Sequence, residues 1–277
     1  MAIEFGVVPE GRFEIHSGTG HRRFANTILD AGWREWLHRM PQPAYSLVPQ
    51  WLCFGEGDSE PSANDTGLES PQFDTQREAS NTRHGGLVDA GTLSGYSEVI
   101  VDFDYPEGAL AGVWQELGLS FAPQGVQPFN RALIRDENGV AAPLVVLSDE
   151  PVKVRVRLRL SLKGWGSPLE LSDLNTQAVF SLDSNLADDQ YGAWRQGLPM
   201  LGGEIAGARG RFETLDPDSG MAKVYFGLSP AQMLEASRVS LFGRLGKPLC
   251  HLDLDQPLIK PAGRAMYLRA FIHAMRQ

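Results

Sequence analysis

Apolar and polar residues alternate along much of this chain with the period of two that marks a half-buried β-strand. From Gly95 to Tyr105 the run GYSEVIVDFDY sets Val99, Val101 and Phe103 on one face and Glu98, Asp102 and Asp104 on the other. From Val152 to Leu162 the run VKVRVRLRLSL repeats the pattern with opposite sign. Val152, Val154, Val156, Leu158 and Leu160 face one way, and Lys153, Arg155, Arg157 and Arg159 the other. The complementary rows predict that the two strands lie close together in one antiparallel sheet, each opposed pair contributing roughly 0.2–1 kcal/mol. Shorter strands are predicted at Ile3–Val7, closed by a turn at Pro9-Glu10-Gly11, and at Gln50–Phe54, Thr176–Leu182, Arg211–Leu215 and Ala222–Leu228. Gly108–Phe121 and Phe129–Ile134 hold further short β segments, followed by a turn at Asp136–Gly139.

Helical spacing is confined to short stretches. Between Asn26 and Met40, Ile28, Leu29, Trp33, Trp36, Leu37 and Met40 recur on one face, with Asn26 or Thr27 as the cap. Gly32 inside that helix costs about 1 kcal/mol relative to alanine. A second helix is predicted over Pro230–Arg238, where Ser229 caps, Pro230 takes the first position and Gln232 completes a capping box. A short helix or turn is expected around Tyr191–Gln196. The closing segment RAMYLRAFIHAMRQ fits helix and strand templates equally. A weak internal repeat, Phe129-Asn-Arg131 with Pro143-Leu-Val-Val-Leu against Phe242-Gly-Arg244 with Pro248-Leu-Cys-His-Leu, would make that segment a strand. Residues 55–91 are polar and rich in Ser, Thr, Asn, Asp, Gly and Pro, which predicts a long loop able to serve as a contact arm. Lys163–Pro168 marks the division between residues 1–164 and 165–277. The implied class is mainly β, with antiparallel sandwich-like units and two short helices.

The 30 glycines and 18 prolines, about one residue in six of 277, agree with short strands joined by turns. A net charge of −9 opposes a phosphate backbone, so the basic row on Lys153–Arg159 reads as a solvated sheet face and nucleic acid is not an expected partner. The longest uncharged run, Met40 to Gly55, is broken by Pro41, Pro43 and Pro49, so no membrane-spanning helix is expected. The amino terminus carries no signal-peptide pattern, and the expectation is a soluble chain made in a cytoplasm. Cys53 and Cys250 suit no metal spacing or disulfide framework and read as small core residues.

Chemistry is hard to place. There is no G-x-S-x-G elbow, and Gly243-Arg-Leu-Gly246-Lys247 lacks the earlier glycine of a P-loop and has Pro248 where Ser or Thr would hold magnesium. Gly203, Gly207 and Gly210 do not form a dinucleotide fingerprint. His251, Asp253 and Asp255 would share one strand face but read as solvated polar residues, and Asp216–Gly220 as a turn. Six histidines lie in no recognisable signature, and no carboxylate pair stands out among 34 acids. No catalytic residue, metal ligand or cofactor is assigned.

Three segments resemble structural proteins of tailed-bacteriophage virions. FANTILDAGWREWL (Phe24–Leu37) is similar to an N-x-I-x-D-x-G opening of tail-associated proteins. WLCFGEGDSEPSANDTGLES (Trp51–Ser70) resembles their glycine-rich strand and the segment ending in D-T-x-L, with Asp65-Thr66-Gly67-Leu68 at that place. GALAGVWQELGLSF with FNRALI resembles a G-x-x-x-E-x-G-L-F … L-F-x-R-A block, with Glu116, Gly118, Leu119, Arg131 and Ala132 matching. The resemblance covers most of Phe24–Leu162. The chain departs from the pattern at Pro71–Gly91 and between Gly164 and Ser240.

The resemblance implies a non-enzymatic tail subunit in the virion, at the distal tail tip, baseplate or fibre attachment. Its expected partners are other tail proteins of hub, tube or fibre, with symmetric copies around the tail axis. Glu56, Asp58, Asp65, Thr66, Arg77 and Arg83 on the polar arm are the expected assembly contacts. A rival reading is a receptor- or carbohydrate-binding module for host surface glycan, with Trp165, Tyr191 and Trp194 as an exposed platform. A third, a glycan-degrading enzyme, rests on unassigned carboxylates alone.

Overall fold

The computed structural model describes residues 2–89, 94–164, 169–171, 176–198, 202–205, 208–228, 234–263 and 266–276. Strands dominate, as the alternation predicts, and the mainly β, sandwich-like class holds. The first half carries β1 (Ala2–Ser17), β2 (Gly20–Ala25), β3 (Thr27–Ile28), β4 (Trp51–Gly55), β5 (Pro71–Glu78) and β6 (Asn81–Asp89). It continues with β7 (Ser94–Tyr105), β8 (Gly112–Trp114), β9 (Glu116–Ser120), β10 (Asn130–Leu133), β11 (Leu144–Val146) and β12 (Val152–Gly164). The second half adds β13 (Leu169–Leu171), β14 (Thr176–Leu182), β15 (Gly202–Ile205) and β16 (Ala208–Asp216). It closes with β17 (Met221–Leu228), β18 (Leu234–Phe242), β19 (Pro248–Lys260) and β20 (Met266–Arg276). The helices are α1 (Asp30–Arg39) and the single turn α2 (Ala193–Gln196).

One large sheet runs in the order β13-β14-β19-β18-β15-β16-β17-β20-β1-β12-β7-β6, with β2 added on β1. A five-stranded sheet, β3-β10-β9-β4-β5, and the pair β8-β11 complete the fold. The large sheet draws strands from both sides of Gly164, joined where β1 pairs in parallel with β20. Aromatic contacts tie the layers together. Phe54 of β4 meets Tyr105 of β7 edge-on at 5.7 Å, and Trp194 of α2 meets Trp36 of α1 at 5.8 Å and Phe129 at 6.1 Å.

The two charge-patterned strands pair as expected. β7 and β12 are antiparallel, with Val154 opposite Phe103 and Arg155 opposite Asp102. Their apolar faces are buried throughout, from Val99 to Tyr105 and from Val152 to Leu162. On the outer face, Asp102 takes Arg155 and Arg83, each at 2.7 Å. Glu98 takes Arg159 at 3.2 Å and Arg157 at 3.5 Å, and Arg157 also reaches Glu14 of β1 at 3.2 Å. The ladder thus spans four strands.

Several elements depart from the sequence reading, each because a partner strand outweighs local composition. β1 runs straight through the turn expected at Pro9–Gly11. On the edge away from β12, β1 is paired with β20 up to Val7 and with β2 from Arg12, so Pro9 lies where that edge is unpaired and its missing N–H breaks no ladder. The first helix starts at Asp30, not Asn26, because Thr27 and Ile28 pair with Arg131 and Asn130 of β10. Leu29 is the cap residue, with no side-chain cap bond. The polar segment 55–91 is a loop only to Ser70. Its remainder forms β5 and β6, recruited by β4 and β7, with residues 90–91 outside the described residues. The predicted helix at Pro230–Arg238 is contradicted from Leu234 onward, where β18 pairs with β19 and is joined by β15 from Val239, while residues 229–233 lie outside the described residues. The closing segment is the strand β20.

Replacing Arg157 by Glu sets three carboxylates together in place of two ion pairs. Because the site is about one-third exposed, a loss of about 1–2 kcal/mol is expected, measured as a lower denaturant midpoint at unchanged slope.

Candidate functional site

Among the described residues, the most heavily built polar site lies where the three resembling segments meet. Glu116 begins β9 and Arg131 sits in β10, each the lone charge of a strand that the five-stranded sheet buries. Glu116 is fully buried and the Arg131 side chain is 3% exposed. Arg131 Nε donates to Glu116 Oε2 at 2.7 Å, Nη1 to Asp65 Oδ2 at 2.7 Å, and Nη2 to the Ser59 carbonyl at 3.1 Å and Glu69 Oε2 at 3.2 Å. From the other side Glu116 accepts the backbone N–H groups of Gly57, Glu69 and Ser70 at 3.2, 3.2 and 2.7 Å. A buried charge is tolerable only when paired and fully hydrogen-bonded, and the partners here come from the arm. Burial works against the Arg131 charge, but Asp65 and Glu116 outweigh it and raise its pKa further. Burial would raise the Asp65 carboxyl, yet the Ser62 N–H and Arg131 hold it low. The Ser59 hydroxyl and N–H do the same for Glu69, with Arg131.

Close backbone approach completes the site. A Cβ on Gly57 would stand 2.6 Å from Glu116 Oε1, so only glycine lets the arm settle on the carboxylate. A Cβ on Gly32 would stand 2.5 Å from the backbone of Phe129, so the glycine of the N-x-I-x-D-x-G segment lets α1 lie against β10. The Leu29 N–H bonds the Phe129 carbonyl at 3.0 Å, and the Asp30 N–H bonds Ala63 of the arm at 2.8 Å. All three segments are thereby locked into one unit.

The six expected contact residues divide in two. Asp65 pairs with Arg131, Arg83 with Asp102, and Arg77 donates to the Asp104 carbonyl at 3.0 Å, so these three also serve within the chain, Arg83 while remaining exposed. Glu56, Asp58 and Thr66 are exposed on the arm. Glu60, also exposed, pairs with Arg135. Below Thr66 a cavity of about 170 Å³ opens between the arm and β9, lined also by Cys53, Phe73, Gly118 and Asn130. Glu116 and Arg131 belong to the resembling motif but were not predicted as site residues. Their signal was a single charge in an otherwise uncharged predicted β segment.

The glycan platform does not form as expected. Trp194 is 1% exposed and donates to the Ser97 carbonyl at 3.1 Å, so its ring is core, not surface. Tyr191 is half-buried with Lys247 5.3 Å over its ring, and Trp165 lies outside the described residues. Cys53 and Cys250 are free and buried, as expected of core residues.

Pairing also builds a relay that the sequence hides. His251 of β19 lies opposite Ser240 of β18, with Nδ1 at 2.9 Å from Ser240 Oγ and Nε2 at 2.7 Å from Asp183 Oδ2. Such a chain can pass a proton, but acyl transfer also needs free N–H groups for an oxyanion. Ser240 is flanked by Glu204 of β15 and by His251, inside two ladders, so the relay's evident work is to satisfy a buried imidazole. Asp253 is held by Arg238 at 2.5 Å and Ser181 at 3.0 Å. Comparison with family models, curated proteins and solved structures found no match to this chain.

Arg131→Met strands the Glu116 charge, so a loss of about 3–5 kcal/mol is expected, with amide exchange rising across residues 55–70. Unchanged exchange there would show that the arm does not depend on Arg131. Gly32→Ala, which helix propensity alone would favour by about 1 kcal/mol, should instead destabilise by about 1–3 kcal/mol in thermal or chemical unfolding.

Proposed function

We propose that this protein is a non-enzymatic structural subunit of a bacteriophage tail, placed at the distal tail tip or baseplate and assembling with hub, tube or fibre proteins. The observation that supports this reading is the Arg131–Glu116 cluster. Among the described residues, the most completely buried charge network is used to hold a surface arm in one shape, and the residues that build it are those of the segments resembling virion proteins. An arm ordered before contact loses little conformational entropy when a neighbour docks, which suits assembly through many repeated, modest interfaces.

Chemistry selects the neighbour. Asp65 and Glu69 are paired with Arg131 and Glu60 with Arg135, which leaves Glu56 and Asp58 as the arm's exposed charges, so the docking partner should present a basic surface to them. The net charge of −9 keeps free copies apart until that partner is met.

The test is carboxylate-reactive cross-linking of intact virions produced by the source, followed by mass spectrometry. Peptides of this chain should be present, and Glu56 or Asp58 should be linked to lysines of a tail-tube, hub or fibre protein. Absence of the chain from purified virions would overturn the reading.

A further inference from the structure

We propose that the tip of the β1–β2 hairpin binds one divalent transition-metal ion through Glu14, His16 and His21. β1 buries Phe13 and Ile15, which turns Glu14 and His16 to its other face, two residues apart. The antiparallel register then sets His21 directly across from His16. The imidazoles are stacked with centroids 4.4 Å apart, and one donor atom from each of the three residues lies within 4.8 Å of the other two. Donors bound at about 2.1 Å to a common ion stand roughly 3.4 Å apart, so closure needs shifts of only about 1 Å. Two exposed histidines at a hairpin tip can supply that by side-chain rotation.

The donors decide the class of ion. Two imidazoles with one carboxylate suit zinc and its neighbours nickel and copper, whereas calcium and magnesium demand oxygen ligands. The contrast with His251 matters. Both its nitrogens are occupied by Ser240 and Asp183, whereas among the described residues neither His16 nor His21 has a ring nitrogen taken by a hydrogen bond or ion pair. Glu14 supplies the rigid corner. It is 9% exposed, and its Oε1 is gripped by Arg157 at 3.2 Å with Arg23 at 3.6 Å, the kind of outer support that orients a ligating carboxylate. Those arginines, with Lys153 opposite His16, also repel a dication, which sets the expected affinity in the micromolar rather than the nanomolar range. Three protein ligands at an exposed tip leave the remaining positions to water or to a neighbouring subunit.

The test is calorimetric titration of zinc chloride into the untagged full-length chain, with cobalt absorption as a second readout. One ion per chain is expected. Affinity should fall at least tenfold in His16→Ala and in His21→Ala without change in the metal-free melting temperature, and His38→Ala, an exposed histidine on α1, should bind like the parent. Excess magnesium should not compete. Glu14→Gln should weaken binding as well, with its melting curve checking that loss of the Arg157 contact has not unfolded it. No saturable zinc uptake, or parental affinity in the His16→Ala, His21→Ala double variant, would overturn the proposal.

Discussion

A guanidinium buried beside a fully buried carboxylate is the constraint on which the first half of this protein turns. Removing Arg131 and Glu116 from water is costly, and the cost is offset only if every donor and acceptor finds a partner in good geometry. β9 and β10 supply the two charges, but not enough partners. The rest come from Ser59, Asp65 and Glu69 and from the N–H groups of Gly57, Glu69 and Ser70. The arm is therefore part of the solution to a burial problem in the sheet, and α1 is drawn into the same unit through Ala63 and the backbone of Phe129.

The long strands solve a different problem. β1, β7 and β12 each bury one apolar face, and their outer faces carry the ladder from Arg83 through Asp102 and Arg155 to Arg157, Glu98 and Glu14. Exposed pairs of this kind contribute little individually, but shared partners make them a network, and their opposite signs fix which strands lie side by side. Glu14 links the ladder to the hairpin tip. A ladder residue held by Arg157 is thus also the least mobile member of the proposed metal site.

These features give the tail reading its physical content. The chain invests in a preset acidic arm and a charged sheet face, while Ser240 and His251 of its relay sit inside paired strands. Surfaces held in shape before contact are what the proposed assembly role requires.

Local pattern made the strand class, the β7–β12 pairing and the core roles of Cys53 and Cys250 readable, because period-two alternation, charge complementarity and small apolar residues act between near neighbours or on whole faces. Glu116 and Arg131 were visible only as lone charges in otherwise uncharged strands. That they meet each other and the arm depends on the register of β9 with β10 and on glycines whose missing side chains admit close approach. Likewise Asn26–Ile28 lost its helical reading to β10, Leu234–Arg238 to β19, and residues 71–89 their loop reading to β4 and β7. The order of residues is enough to say which side chains seek burial and which faces carry charge. Who their partners are is settled only in the folded chain, because hydrogen bonds and ion pairs act over a few ångströms in space while these partners lie tens of residues apart in sequence.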